Sequence, residues 1–332
     1  MELESRSSVG PTRAPAPLRA ASCDYCGSSA ADAISGVLRD EEGQESLPVA
    51  FRDQTFQLVK CRECGLVYLP LRPPPSDLDV YYGADYKCFA SYTERGSIMR
   101  ALAAAVARRK LSEIQKYMPA GQRSLLDYGC GSGTWLNELR EAGCDYRLIG
   151  TDVVPGALEA LRARGIEAHC CDDTNVSAVI APDSIGVIHN FHVIEHVPSP
   201  LAMLRALHAL LVPGGVLLGQ TPNVASFGRK VWGDAWNQWH VPRHFVLFDH
   251  ETLRRHAQAA GFEVVSIRSS ISGATQWAQS GLARWAKLRD RPFRGIHEPL
   301  YPPLILGCIP IALVESLLGH TCHMDFVLRK PG

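Results

Sequence analysis

Three groups of residues in this chain have the types and spacing to do chemistry. Asp127-Tyr128-Gly129-Cys130-Gly131-Ser132-Gly133 puts a carboxylate ahead of three glycines at alternate positions. Glycines so spaced allow a tight turn and a close approach of ligand to backbone. His192-Val193-Ile194-Glu195-His196 sets two imidazoles around an acid, and Trp236, Trp239, His240, Arg243 and His244 follow further along. A histidine titrates near neutrality, so such a cluster suits proton removal from a bound substrate. Cys23-x-x-Cys26-Gly and Cys61-x-x-Cys64-Gly form a matched pair with 34 residues between. Four thiolates in that pattern suit tetrahedral Zn²⁺ in a structural role, in a module too short to bury a core of its own.

The glycine loop must first be assigned to a cofactor class. A dinucleotide fingerprint requires glycine at 134, where this chain has Thr134. Asp127 lies two residues before the first glycine, where a pyrophosphate would be repelled. S-adenosylmethionine carries an ammonium and a sulfonium but no phosphate, and its charge fits that acid. Asp152, closing Leu148-Ile149-Gly150-Thr151-Asp152, can accept from both ribose hydroxyls, which serves either cofactor. Asp172 either holds the adenine amino group or caps the segment after it; the residues leave both open.

These loops need a frame. Apolar strands at 124–128, 146–152, 166–171, 184–191 and 215–220 alternate with helical segments at 134–142, 155–164, 174–181 and 199–211. Strands near 263–268 and 325–329 would complete seven. The pattern predicts an α/β, Rossmann-like doubly wound seven-stranded sheet. Ligands of such sheets bind at the carboxyl ends of the strands, which places His192, Glu195 and His196 beside them. The chain divides into a disordered tail (1–20), a zinc ribbon (21–70), a linker with lid helices (71–122) and the main domain (123–332), which carries an insert (270–323). Within the third part a helix is expected over 98–117, with Arg108-Arg109-Lys110 on its solvated face.

Taken together, Asp127-Tyr-Gly-Cys-Gly-Ser-Gly, Asp152 and Leu211-Val-Pro-Gly-Gly-Val-Leu217 resemble the motifs of class I S-adenosylmethionine-dependent methyltransferases, over roughly residues 80–330. The resemblance implies that cofactor, with Asp127, Gly129, Gly131 and Asp152 as contacts; Cys130, Val153, Asp172 and Phe191 flank the same pocket. The fourth strand departs from the family's frequent acidic start, since it opens Asp183-Ser-Ile-Gly. Glu195-His196 resembles the matching segment of sugar C-methyltransferases and ubiquinone-type O-methyltransferases; in the former that histidine is regarded as a base. His196 is therefore the expected base, Glu195 its orienting partner and His244 the second choice. The segment is also similar to metal-dependent RNA-end 2′-O-methyltransferases, which would place an ion at His192, Glu195, His196 and His244, although His192 replaces their first Glu.

The aromatic-rich loop reads either as substrate-facing or as a plug for the core. On the first reading Tyr86, His192, Asn223, Trp236, Trp239, His240 and Arg243 contact a small-molecule or glycan acceptor, and the segment 81–86 closes over the cofactor. Pro242-Arg-His-Phe resembles bacterial methyltransferases of surface-polysaccharide and secondary-metabolite clusters. Lys plus Arg and Asp plus Glu number 34 each, so nothing favours a nucleic-acid partner. The opening residues carry no secretory pattern, and the unpaired cysteines fit a reducing cytoplasm. The apolar run 300–319, broken by three prolines and Glu315, either packs on the sheet or touches a membrane peripherally. Two competing readings are a zinc-ribbon nucleic-acid-associated protein with a vestigial methyltransferase domain, and a nicotinamide oxidoreductase.

Overall fold

A computed structural model of the chain describes residues 14–40, 47–82, 97–270, 273–289 and 298–332. The N-terminal part contains β1 (Arg19–Ala20), β2 (Ala31–Ala33), α1 (Val49–Arg52), β3 (Val59–Cys61), β4 (Val67–Tyr68) and β5 (Leu71–Arg72), followed by α2 (Pro75–Tyr81) and α3 (Ser97–Tyr117). The main domain runs through β6 (Ser124–Tyr128), α4 (Thr134–Glu141), β7 (Arg147–Asp152), α5 (Glu159–Ala163), β8 (Glu167–Cys170), β9 (Ile185–Phe191), α6 (Pro200–Leu210) and β10 (Leu211–Pro222). It continues with α7 (Phe227–Trp232), β11 (Val246–Leu247), α8 (His250–Ala259), β12 (Glu263–Ser269), α9 (Gly273–Leu288), α10 (Tyr301–Leu318) and β13 (His323–Arg329).

Seven strands form the central sheet in the order β12-β13-β10-β9-β6-β7-β8. β13 alone runs against its neighbours. The chain reverses its winding between β6 and β9, which opens a crevice at their carboxyl ends. β6 is buried at every residue, as a central strand covered on both faces must be. α6 starts where the Ser199 hydroxyl accepts from Ala202 N–H and Pro200 fills the first turn. Its Met203, Leu204, Leu207 and Leu210 form the buried stripe.

The expected strands are present, but three expectations change. Over 174–181 there is only a short 3₁₀ turn, Val176–Ala178, because Asp172 and Asn175 side chains bind nearby N–H groups and hold the backbone in a turn. Leu69–Pro75 is not a free linker, since β5 pairs with β1 and thereby also orders the end of the supposed tail. The cysteine module is not a separate bead either. Its sheet, β11-β4-β3-β2, takes its edge strand from the main domain, and one hydrophobic core runs through Leu58, Leu66 and Tyr68 into Phe248 and Leu253. Within the insert 270–323 the described residues form α9 and α10, two helices packed on each other between β12 and β13.

Candidate active site

At the end of β6 the chain turns through Gly129, Gly131 and Gly133, all at positive φ. A side chain at Gly129 would also run into Val193, so glycine is required there twice over. Asp152 braces the turn, accepting from Gly131 N–H at 2.8 Å and Val154 N–H at 2.9 Å. Burial pushes its carboxyl upward, the N–H groups of Val154 and Gly131 pull it back, and the nearby charge of Asp127 adds to the rise. Burial likewise raises the Cys130 thiol, reinforced by both acids. Two close carboxylates at a glycine turn form a site that a cation relieves and a phosphate strains, which matches the charges of S-adenosylmethionine.

Asp127 is buried and its Oδ1 holds His189 Nδ1 at 2.6 Å. His189 is stacked on Trp135, with centroids 3.7 Å apart, and touches Phe191 at 4.0 Å. Lys110 of α3 lies over the Phe191 ring. The sequence reading missed His189, yet Asp127 and His189 are register partners across β6 and β9, a signal present once the strands are aligned. Val153 is exposed beside the crevice. Asp172 accepts from the N–H and hydroxyl of Thr174 within its own turn.

On the acceptor side, Glu195 takes a different partner from the one expected. Its Oε1 faces His192 Nδ1 at 3.2 Å and its Oε2 accepts from Thr221 Oγ1 at 2.9 Å. His192 Nε2 meets Gln220 Oε1 at 2.8 Å, while the Gln220 amide nitrogen donates to Ser270 and Asp325. With an acceptor at each ring nitrogen, His192 is satisfied as an imidazolium. Burial opposes that charge, but the hydrogen bond and charge of Glu195 outweigh it and raise the pKa. Glu195, fully buried, is held below its usual range because the His192 bond and charge overcome burial. His192 sits at φ 56°, a strained backbone for a residue with a Cβ.

His196 belongs to another group. Its Nδ1 lies 2.9 Å from the Tyr82 hydroxyl, and its ring is 4.6 Å from His244. His240 Nδ1 is 3.3 Å from His244 Nε2, and His244 Nδ1 donates to Gln238 O at 2.8 Å. Burial, then the neighbouring imidazoles, push His196 and His244 well below the usual histidine value, so both are neutral. Among the described residues one ligand atom from each of His196, His240 and His244 falls within 4.8 Å of the others; His192 and Glu195 are not in that group.

The remaining substrate candidates separate from this cluster. Trp236 and Trp239 are buried, edge to face, as a core plug. Asn223 is buried on Thr321 O and Ala225 N–H. Arg243 is buried in an ion pair with Asp40 at 2.8 Å and donates to Tyr81 O, tying α2 and the cysteine module to the loop. Tyr86 lies outside the described residues. Gln220, Gln238 and His323 enter from separate segments with no local pattern to announce them, and Tyr82, from the segment expected to close over the cofactor, meets His196 instead.

The four cysteines converge within 4.8 Å. Cys23 and Cys64 sulfurs lie 3.3 Å apart, and those of Cys26 and Cys61 3.5 Å. That exceeds an S–S bond of about 2.05 Å and approaches the roughly 3.8 Å edge of a tetrahedron with 2.3 Å metal–sulfur bonds. Burial opposes the Cys61 thiolate, but N–H groups of Cys64 and Glu63 lower its pKa to about 7. Asp24, inside the first knuckle, accepts from Ser199 Oγ at 2.5 Å and Leu201 N–H at 2.9 Å, fixing the start of α6 just after His196.

A doubly wound seven-stranded sheet with paired carboxylates around a glycine turn defines a class I S-adenosylmethionine-dependent methyltransferase. A family model described as a methyltransferase domain matches residues 95–267, just over half the chain, and the protein belongs to that family. The match starts after the cysteine pairs and ends before α9. Among curated proteins, a ubiquinone biosynthesis O-methyltransferase of Ruegeria pomeroyi is 36% identical over 179 residues, covering 48% of this chain and 68% of that protein. One from Cereibacter sphaeroides is 28% identical over 170 residues, covering 47% and 66%. The chain thus spans about two thirds of the length of these relatives. Similar solved structures include an S-adenosylmethionine-dependent methyltransferase from Archaeoglobus fulgidus (19% identity, TM-score 0.46, 70% of this chain and 94% of that one). Another is from Mesorhizobium loti (16%, 0.42, 68% and 97%).

Proposed function

We propose that this methyltransferase acts on a hydroxyl oxygen of a small-molecule or sugar acceptor, with His196 as general base. The observation that carries the reading is the placement of His196 just past the carboxyl end of β9, its Nδ1 2.9 Å from the Tyr82 hydroxyl and its ring 4.6 Å from His244, beside the His192–Glu195 pair. The curated relatives named as O-methyltransferases favour oxygen over carbon or nitrogen.

Bound in the crevice, S-adenosylmethionine supplies an activated methyl group. The protein must align the acceptor and remove its proton. The Tyr82 hydroxyl, 2.9 Å from His196 Nδ1, orients the ring for proton removal from the acceptor hydroxyl. The imidazolium of His192, fixed by Glu195 and Gln220, favours the acceptor's oxyanion electrostatically. Cys23, Cys26, Cys61 and Cys64 would hold zinc in a structural role, steadying the knuckle from which Asp24 fixes the turn from His196 into α6.

Transfer of a labelled methyl group to a panel of catechols, phenols and free sugars tests the reading. His196→Ala should lower transfer about 10²–10⁴-fold, with cofactor affinity within about twofold. Full activity in that variant would remove His196 as base. A second reading has a divalent ion on His196, His240 and His244, favoured by the 3.3 Å His240–His244 nitrogen spacing, near the edge of a tetrahedron around a metal. Activity lost on chelation and restored by added Mn²⁺ or Zn²⁺, at cofactor affinity unchanged, would select it.

A further inference from the structure

α10 is long and apolar enough to cross a membrane, yet only Ala312 and Glu315 of its 18 residues are buried. Leu306, Leu313, Val314, Leu317 and Leu318 are more than half exposed, with Leu317 at 88%. Such an apolar surface is costly in water unless something covers it. The helix is also pinned in place. Glu315 turns inward to accept from Trp277 Nε1 at 2.7 Å and Gly228 N–H at 2.9 Å, and Gly319 closes the helix in a left-handed cap. A helix anchored at that end, with Pro302, Pro303 and Pro310 in its length, lies along a surface rather than through it.

The chemistry around the hairpin says which surface. Arg284 and Lys287 stand in the last turns of α9 and Arg289 just beyond its end, next to Trp285 and an exposed Leu288. Arg284 and Lys287 also line a cleft of about 630 Å³ with Lys230 of α7, Trp232 and Asp234, three cations to one acid, and that acid accepts from Gly36 N–H. The only acids of the hairpin among its described residues, Glu298 and Glu315, are buried. The chain carries no net charge, so this cationic collar is local. A second copy of the hairpin would offer it no anions, whereas a bilayer offers an apolar interior beneath negative headgroups.

We propose that the α9–α10 hairpin docks the enzyme on a membrane surface bearing anionic lipids, α10 settling into the acyl boundary and the basic collar on the headgroups. The same hairpin reaches the active site. Gln276 and Gln279 of α9 accept from Asn237, Gln276 also accepts from Gln238, and the Gln238 carbonyl orients His244. Docking therefore holds the acceptor side of the site at the membrane interface.

Flotation of the full chain with phosphatidylcholine vesicles, with and without 30% phosphatidylglycerol, tests this. The protein should float with the anionic vesicles, less so in high salt. Leu313→Ser with Leu317→Ser, and separately Lys287→Glu with Arg284→Glu, should each weaken binding at least about tenfold. Unchanged S-adenosylmethionine affinity in these variants certifies their fold. The proposal is overturned if the protein floats with neither vesicle, if it floats equally with both, or if light scattering shows a dimer that the two serines dissociate.

Discussion

The cofactor side and the acceptor side of this crevice are built by opposite means. Asp127, Gly129, Gly131 and Asp152 come from two adjacent strands and a single turn; the Asp152 hydrogen bonds span 21 positions or fewer, and the longer Asp127–His189 contact follows from the pairing of β6 with β9. On the acceptor side, Tyr82, His192, Glu195, Gln220, Gln238, His244 and His323 come from at least five segments and meet only in the folded chain. The first can be rebuilt wherever the turn recurs. The second depends on the cysteine module, α2, the 236–245 loop and the hairpin all being in place. It follows that the acceptor side can be damaged from a distance without touching cofactor binding.

The severest such damage should come from Arg243, the buried clamp on Asp40 and Tyr81 O. Arg243→Leu removes the guanidinium from the buried Asp40 carboxylate and should cost about 3–5 kcal/mol in denaturant melts, with cofactor affinity of the folded fraction unchanged. If Arg243 binds substrate instead, stability will hold and acceptor KM alone will rise. Acid should act next. His196, His244 and His323 are kept below 6.5 by burial, so the unfolded chain takes up protons below that pH that the folded chain refuses. Stability should fall as pH drops under about 6.5, by at most about 1.4 kcal/mol per unit for each of the buried rings of His244 and His323 and by less for the half-buried His196. His192 has the opposite sign, its contribution being lost as pH rises through its raised value. Urea midpoints between pH 5 and 8 would show the loss on the acid side; a flat profile there would mean that these rings titrate normally. The smallest effect is expected at Asp24→Ala, which unties α6 for about 1–2 kcal/mol and should lower kcat while sparing the cofactor Kd. A change in Kd instead would show that the two sides are not separable.

This contrast also explains what could be read beforehand. The sheet, the glycine turn and Asp152 were legible because their determinants are local: alternating apolar runs, glycine spacing, an acid at a strand end. His189 was one step further, visible only through the register opposite Asp127. The partner of Glu195 was not legible at all. Proximity in sequence suggested His196, but the left-handed turn at His192 and the amide of Gln220 pull His192 onto the acid. Trp236 and Trp239 read either as a ligand platform or as a core plug, and they are buried together, because a loop crossing the sheet end must supply its own core. The pairing of β11 with β4, which fuses the cysteine module to the domain, joins segments nearly 180 positions apart.

Calorimetric titration of S-adenosylmethionine into the wild-type protein and into Asp152→Asn goes to the foundation of the account. The charge logic of the crevice predicts micromolar binding that weakens by about 10–100-fold when the carboxylate becomes an amide. Equal affinity in both proteins, or no binding to either, would contradict it.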